Sequence, residues 1–274
     1  MKKIDIHCHT TKRKVIGAVP ESADLDTIKN EMKKYDIEKT ILLATYFPHR
    51  GSGTSNFRLL HWIRDKPEFL MFGSLDFEHY FWQGINELNE LAESNLIKGV
   101  KLYTAYQKID LHSDKMKKIV DLANHYALNL AFHTGHSYTT MRKYGGFSAY
   151  DAIKPMDLEF IAEENPDINI VMCHLAKPFV DDLITVVNRN HNIYADSSGL
   201  LHSRFDRDKI PRAIEDIRRF VDACGPKKLL FGTDFSMQTH EDSVYFIEEA
   251  MKSYSRKDKR DVYYNNAKIM LKLC

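Results

Sequence analysis

Eight short apolar runs, rich in β-branched and aromatic residues, recur along this 274-residue chain and are separated by amphipathic segments. Runs of this kind predict β-strands, whereas apolar residues spaced three and four apart predict helices. The predicted strands are 3–9, 40–45, 70–76, 97–103, 128–133, 168–174, 192–197 and 228–234. The predicted helices are 25–35, 57–65, 85–94, 115–126, 158–164, 179–188 and 210–222. Strand and helix therefore alternate along the chain.

This alternation is typical of a parallel sheet with crossover helices. Eight βα units in a chain of this length match the size of a (β/α)8 TIM barrel, about 250 residues, and right-handed crossovers would close such a sheet on itself. An open doubly wound sheet would show the same alternation, but no glycine-rich phosphate-binding motif follows an early strand. No composition shift, repeat or low-complexity stretch marks a linker. We therefore expect an α/β fold, a single-domain (β/α)8 TIM barrel over residues 1–274.

Charge and hydropathy exclude two classes of partner. Lys and Arg number 39 against 38 Asp and Glu, and a net charge of +1 gives no basic field for nucleic acid. The longest uncharged apolar runs, such as 40–47, are far shorter than the roughly 20 residues of a membrane span. The N-terminal region lacks a signal peptide's apolar stretch of about 7–15 residues, and the 4 cysteines form no CxxC pair. We therefore expect a soluble, cytoplasmic protein that binds neither nucleic acid nor a membrane.

Polar side chains stand where four predicted strands end. His7 and His9 share one face of the first strand, because side chains alternate with a period of two. His133 and His174 end the fifth and sixth strands, and Asp234 ends the eighth. In a TIM barrel all strand ends meet at one face, where active sites lie. Burying these groups without a shared partner would cost about 1–3 kcal/mol each, so the pattern predicts a metal site.

The donor types indicate which metal this site would hold. Imidazole nitrogen with carboxylate oxygen suits zinc, with manganese or iron as alternatives. No compact Cys and His cluster of a structural zinc site is present, and a catalytic site keeps one position open for water. Cys8 and Cys173 neighbour the histidines, but the period of two turns them to the opposite face, where we expect them to pack in the core.

Seven motifs occur in order along the chain. They are DIHCH at 5–9, GVKLY at 99–103, the histidine at 133, CHLA at 173–176, NIYADSSG at 192–199, FGTDF at 231–235 and YNNA at 264–267. This ordered series resembles the amidohydrolase superfamily of metal-dependent barrel hydrolases. The resemblance is to the amidohydrolase-related (amidohydrolase 2) branch, which also contains aminocarboxymuconate-semialdehyde decarboxylase and similar decarboxylases.

The resemblance implies roles for particular residues. Four positions match the family's metal ligands: His7, His9, His133 and Asp234. His174 would be a further ligand or a catalytic acid and base. Lys101 matches the strand 4 position where binuclear members hold a carboxylated lysine that bridges two metals, although a lysine there also occurs as a substrate contact. We expect one divalent metal ion, and a second one if Lys101 is carboxylated.

Two other metal-dependent groups fit less well. The polymerase and histidinol phosphatase type shares the opening DxHxHT run, but it usually closes with a GSDAH-like motif where this chain has GTDFS at 232–236. TatD-like nucleases carry an acidic residue at strand 4 that this chain lacks.

Five further residues follow predicted strands on the loops that would shape specificity. We predict that these residues contact the substrate: Tyr103, His136, Arg204, Ser236 and His240. Arg204 could hold a substrate carboxylate through two hydrogen bonds. The longest irregular segment, 136–155, follows the fifth predicted strand, and loops of this length in compact domains are usually functional.

These residues together predict a hydrolase that cleaves an amide, ester or lactone bond of a small molecule with a metal-activated water. Asp234 would take the proton of the water. His174, alone or with Lys101, would stabilise the developing oxyanion and protonate the leaving group. One alternative is metal-dependent, non-oxidative decarboxylation of an aromatic or enol-type carboxylic acid. A lesser alternative is a catalytically lapsed barrel that acts as a binding protein. Assembly into a homo-oligomer stays open.

Overall fold

Eight strands are present in the computed structural model, which describes residues 1–46, 53–136 and 152–273. They are β1 (Lys3–Cys8), β2 (Ile37–Leu43), β3 (Phe69–Phe72), β4 (Gly99–Leu102), β5 (Asn129–Phe132), β6 (Ile170–Met172), β7 (Ile193–Asp196) and β8 (Leu229–Leu230). Each lies within or overlaps a predicted strand. The strands end earlier than predicted because the residues that follow, including the candidate site residues, leave the sheet for loops and turns.

Ten α-helices lie within the same described ranges. They are α1 (Leu25–Lys34), α2 (Asn56–Ile63), α3 (Phe81–Glu93), α4 (Asp114–Tyr126), α5 (Pro155–Glu164), α6 (Val180–Arg189), α7 (Ile210–Cys224), α8 (His240–Ala250), α9 (Arg256–Arg260) and α10 (Asn266–Met270). Helices α1 to α7 match the seven predicted helices. The predicted helices do not include α8, α9 or α10, and α9 and α10 have only five residues each, too few to show periodicity. None of these helices is long and apolar enough to cross a membrane.

The chain divides into two compact units. The terminal unit comprises Met1–Leu43, Trp62–Leu70 and Ala195–Cys274, and the central unit comprises Ala44–His61 and Met71–Tyr194. Of the predicted functional loop 136–155, residues 137–151 lie outside the described part of the chain.

In the terminal unit, parallel strands bring the two ends of the sequence together. Strand β1 pairs with β2 on one side, and its other edge bonds to the segment after β8, where the Ile6 N–H donates to the Phe231 carbonyl (3.0 Å). Strand β8 in turn pairs with the end of β7, Ala195 lying opposite Leu229. All six residues of β1 are buried. The polar residues of β1 are therefore held rigidly inside the protein rather than on its surface.

In the central unit, β5 lies between β4 and β6 in a parallel arrangement. The register places Lys101 opposite Ala131, and Ala131 opposite Val171. Residues opposite each other in adjacent strands face the same side of the sheet. Lys101 thus shares a face with the small side chain of Ala131, which leaves room beside it.

A left-handed turn follows β6 in the central unit. His174, Leu175 and Ala176 have φ values of 62°, 48° and 50°, a conformation that costs roughly 1–2 kcal/mol per residue for side chains other than glycine. Gly135 packs directly against this turn, because a Cβ at this position would lie 2.0 Å from the Lys177 carbonyl oxygen. Its own φ is +76°. The loop after β5 and the turn after β6 can approach so closely only with a glycine here.

We therefore expect Gly135→Ala to destabilise the protein by more than Gly225→Ala, measured as the free energy of unfolding in denaturant. Gly225 has a similar φ of +80°, but a Cβ there would meet nothing within 4 Å. The Gly225 variant, at φ 80° and ψ 158°, should lose about 1–3 kcal/mol from backbone conformation alone, and the Gly135 variant should lose a similar amount together with the cost of a steric clash. Equal losses in the two variants would show that the close approach at Gly135 does not matter.

Candidate active site

Three predicted metal ligands meet in the terminal unit. One ligand atom each from His7, His9 and Asp234 lies within 4.8 Å of the others. Asp234 Oδ1 is 3.2 Å from His9 Nε2 and 3.7 Å from His7 Nε2. Asp234 reaches this position because the chain turns sharply after β8: its φ is 57°, and its N–H donates to the His7 carbonyl at 2.7 Å. The sharp turn aims the carboxylate at the two imidazoles.

The other ring nitrogen of His7, Nδ1, contacts the side chains of Asp196 and Ser198. His7 Nδ1 lies 2.8 Å from Asp196 Oδ2 and 2.9 Å from Ser198 Oγ. Asp196 itself accepts hydrogen bonds from the hydroxyl and the N–H of Ser198. All three side chains are buried. This arrangement fixes the ring orientation of His7 and leaves Nε2 to face Asp234.

Asp5 lies deeper and ties β1 to the segment after β8. Its carboxylate accepts hydrogen bonds from the His7 N–H, the Thr233 N–H and the Thr233 hydroxyl, at 3.1, 3.1 and 2.7 Å. Complete burial raises the pKa of Asp5 to about 7, although these hydrogen bonds act in the opposite direction. Because Thr233 precedes Asp234, this contact holds the candidate ligand in place from below.

The three residues fit a divalent cation. Two imidazole nitrogens and one carboxylate oxygen lie within 4.8 Å of one another, and this donor set suits zinc and related metals. A metal-bound histidine usually donates its other N–H to a carboxylate, which is the arrangement of His7 and Asp196. His9 and Asp234 keep 30% and 18% of their side chains exposed, so a ligand can approach the cluster.

His133 and His174 form a second pair, in the central unit. His174 Nε2 lies 3.1 Å from His133 Nδ1, and both residues are buried. In a continued strand, His174 would point to the opposite face from Cys173. The left-handed turn after β6 changes this direction. The predicted convergence of both histidine pairs and Asp234 at one metal centre stays a prediction.

Lys101 also lies in the central unit, and it is completely buried. Its Nζ is 2.7 Å from Cys173 Sγ and 5.5 Å from the centre of the Tyr103 ring. Cys173 is buried, as expected of a core residue, and its thiol contacts Lys101. The register of β4, β5 and β6 places Val171 on the face of Lys101, and Cys173 follows at the start of the turn after β6.

The predicted substrate contacts lie in different surroundings. In the central unit, the buried Tyr103 hydroxyl donates to the Ala44 carbonyl at 2.8 Å, and the His136 ring stacks on Phe179. In the terminal unit, Arg204 is exposed and lies over the Phe205 ring, whereas Ser236 is buried. Their roles in binding stay predictions.

His240 differs from the other predicted contacts because it has no exposed surface. Its ring stacks on Tyr35, and its Nε2 is 3.7 Å from Asp5 Oδ2. Burial, with a smaller effect of Lys34, lowers the pKa of His240 to about 3, so the ring is neutral at pH 7. The structure thus places His240 behind Asp5, in the layer beneath the candidate ligands.

Two features of this site escape sequence reasoning. Asp196 and Ser198 belong to the NIYADSSG motif at 192–199, but strand alternation does not show that they contact His7. The sequence signal for a functional loop is the run DSSG at 196–199, which stands at the end of a strand. Short polar residues at such positions often mark functional loops.

Comparison with solved structures identifies the fold. The chain is similar to an uncharacterised TIM-barrel protein from Bordetella bronchiseptica, with a TM-score of 0.77 and 16% identity over 99% of both chains. It is also similar to a probable 2-pyrone-4,6-dicarboxylic acid hydrolase from Acinetobacter baumannii (TM-score 0.70, 16% identity, 100% of both chains). A third similar structure is 2,6-dihydroxybenzoate decarboxylase from Rhizobium (TM-score 0.67, 15% identity, 100% of this chain and 99% of that one). The predicted (β/α)8 TIM-barrel fold is confirmed.

The family follows from the sequence itself. The model of the amidohydrolase family (Amidohydro_2) matches residues 4–273. This protein therefore belongs to the amidohydrolase family, and the predicted resemblance is confirmed. No curated protein matches the sequence.

We expect Asp196→Asn to weaken metal binding without unfolding the protein, because the amide cannot stabilise the Nδ1–H of His7 as a carboxylate does. The loss of an outer-shell partner typically costs about 10–100-fold in metal affinity. Competition with a chromophoric chelator measures the affinity. Asp242→Asn is the matched control, since Asp242 is also buried but pairs with Arg207. An unchanged affinity in Asp196→Asn would remove Asp196 from the metal centre.

Proposed function

We propose that this protein is a metal-dependent hydrolase that cleaves an amide, ester or lactone bond of a small molecule. The observation that carries the proposal is the cluster of His7, His9 and Asp234, with Asp196 behind His7. Membership of the amidohydrolase family supports it.

His7, His9 and Asp234 would hold the metal, and His133 is a further candidate ligand. Zinc suits two imidazoles and a carboxylate best, with manganese or iron as alternatives. When bound, such an ion supplies Lewis acidity that activates a water and polarises a carbonyl. We expect one ion per chain, and a second only if Lys101 is carboxylated.

The chain's own residues would handle the protons. Asp234 is partly exposed beside His9, so its carboxylate can accept a proton from a water that enters the cluster. His174 would deliver a proton to the leaving group, with the neighbouring His133 fixing its ring. Lys101 would offer its ammonium to a developing oxyanion.

Decarboxylation of an aromatic or enol-type acid is the second candidate, and Lys101 favours it. A buried ammonium needs an anion or several hydrogen bonds. In the described part of the chain, the only hydrogen-bond partner of Lys101 Nζ is the thiol of Cys173. A substrate carboxylate would satisfy this group. Screening the metal-loaded protein in parallel against amides, lactones and aromatic carboxylates separates the two reactions, and turnover of aromatic acids alone would overturn the hydrolase proposal.

Replacing His7, His9 or Asp234 with Ala should empty the metal site, because the loss of a direct ligand costs more than the roughly 10–100-fold in metal affinity that the loss of an outer-shell partner costs. Elemental analysis of folded protein measures this, with circular dichroism as the test of folding. His61→Ala is the control, since His61 is exposed on α2. Full metal content in all three variants would end the ligand assignment.

The pH dependence of the rate should separate the base from the acid. Activity should fall at low pH as Asp234 or the ligand histidines become protonated, and at high pH as His174 loses its proton. His174→Gln should remove the high-pH limb with metal still bound, because glutamine keeps a hydrogen-bond donor but does not titrate. Loss of metal from this variant would instead make His174 a ligand. An unchanged limb would assign the acid to another group, with Lys101 next to test.

A further inference from the structure

Lys101 and Cys173 form a close, buried amine–thiol contact. The Nζ and Sγ atoms are 2.7 Å apart, and the two residues have relative exposures of 0% and 1%. Hydrogen bonds from N–H to oxygen span about 2.7–3.2 Å. Sulfur is a larger atom than oxygen, so an ordinary N–H···S hydrogen bond is longer than this. The two atoms are therefore nearer than a hydrogen bond requires.

The backbone holds both residues in this position. The N–H of Lys101 donates to the Gly73 carbonyl at 2.8 Å within the sheet. The carbonyl of Cys173 accepts a hydrogen bond from the Thr134 hydroxyl at 2.8 Å. Strand β5 lies between the two residues, and the methyl side chain of Ala131 lets the lysine extend across it. The amine and the thiol are thus preorganised rather than brought together by chance motion.

We propose that Lys101 and Cys173 are a redox modification site, at which a single oxygen atom bridges the lysine nitrogen and the cysteine sulfur. An oxygen bonded to both atoms would hold nitrogen and sulfur at about the separation that the structure shows. The oxidant is a hydroperoxide, for which hydrogen peroxide is the probe. The bridge would tie β4 to the turn after β6 and would occupy the Lys101 amine.

The chemistry balances in two oxidations. First, the sulfur of Cys173 attacks hydrogen peroxide, the O–O bond breaks, and a sulfenic acid and one water form. Next, Lys101 releases its ammonium proton to water and, as the amine, forms an N–O bond to the sulfenic oxygen. A second peroxide takes up the two electrons and two protons that the amine and the S–OH release, giving two waters. Two equivalents of a dithiol reverse the process and return the amine, the thiol and one water.

The contact distinguishes Cys173 from another buried cysteine of the chain. Cys8 is equally buried, but its Sγ contacts the His9 carbonyl at 3.8 Å, and a carbonyl cannot form such a bridge. Peroxide should therefore convert Cys8, if it reacts at all, to acids of sulfur alone. Cys8 is an internal reference within the same protein.

The test is peptide mapping by mass spectrometry of the full chain after treatment with hydrogen peroxide. A peptide around Lys101 should become linked to one around Cys173, with a gain of one oxygen and a loss of two hydrogens. Dithiothreitol should release both peptides unmodified. Since the measurement is a covalent mass, it holds whether or not the protein proves to be a hydrolase.

Two lysine variants test whether Lys101 is the residue linked to Cys173. Lys101→Met should abolish the linked peptide and leave a sulfenic acid at Cys173 that dimedone traps, whereas Lys98→Met should leave the linkage intact. Lys98 lies just before β4, and its Nζ bonds to Asn95 at 3.0 Å instead. If wild-type protein gains oxygen at Cys173 while Lys101 stays unmodified, the proposal is wrong. This outcome is read from wild type alone and does not require the variants to fold.

Discussion

A buried hydrogen bond between His7 and Asp196 determines which atom of His7 can bind a ligand. Removing a carboxylate from water is costly unless hydrogen bonds compensate it. Asp196 obtains them from His7 and from both donors of Ser198. The bond therefore satisfies Asp196 and at the same time directs Nε2 of His7 toward Asp234. The rest of the cluster is built around this orientation, with Asp5 fixing the segment that carries Asp234.

Two functional candidates lie in backbone conformations that favour glycine. Asp234 and His174 both have φ values near +60°, each in the segment that follows a strand. Such conformations persist where the surrounding structure over-determines them, and they cluster at active sites. Here the left-handed turn gives each side chain a direction that continued strand geometry would not. Both residues belong to the sequence motifs, so the conformational cost in stability falls on candidate site residues.

The sequence predicts the succession of strands and the candidate ligands, but it does not predict which side chains contact each other across the fold. The period of two places His7 and His9 on one face of β1, and the structure brings them to Asp234. Periodicity within one strand does not show that Cys173 contacts Lys101, because that contact joins the turn after β6 to β4. Asp196 shows a second limit, since it contacts His7 from 189 positions away along the chain. Pairings of this kind depend on three-dimensional packing, which local periodicity does not contain.

The candidate ligands come from opposite ends of the amino-acid sequence. His7 and His9 lie on or beside β1, and Asp234 follows β8, so a cation bound to all three would close a loop that contains most of the chain. Cross-links that close long loops restrict the unfolded chain more than those that close short ones. Ligands that bind only the folded state stabilise it by about 2.7 kcal/mol at 100 times their dissociation constant. A metal here would link β1 to the segment after β8. Local unfolding of either segment would then require release of the ion, and release of the ion would make such unfolding easier.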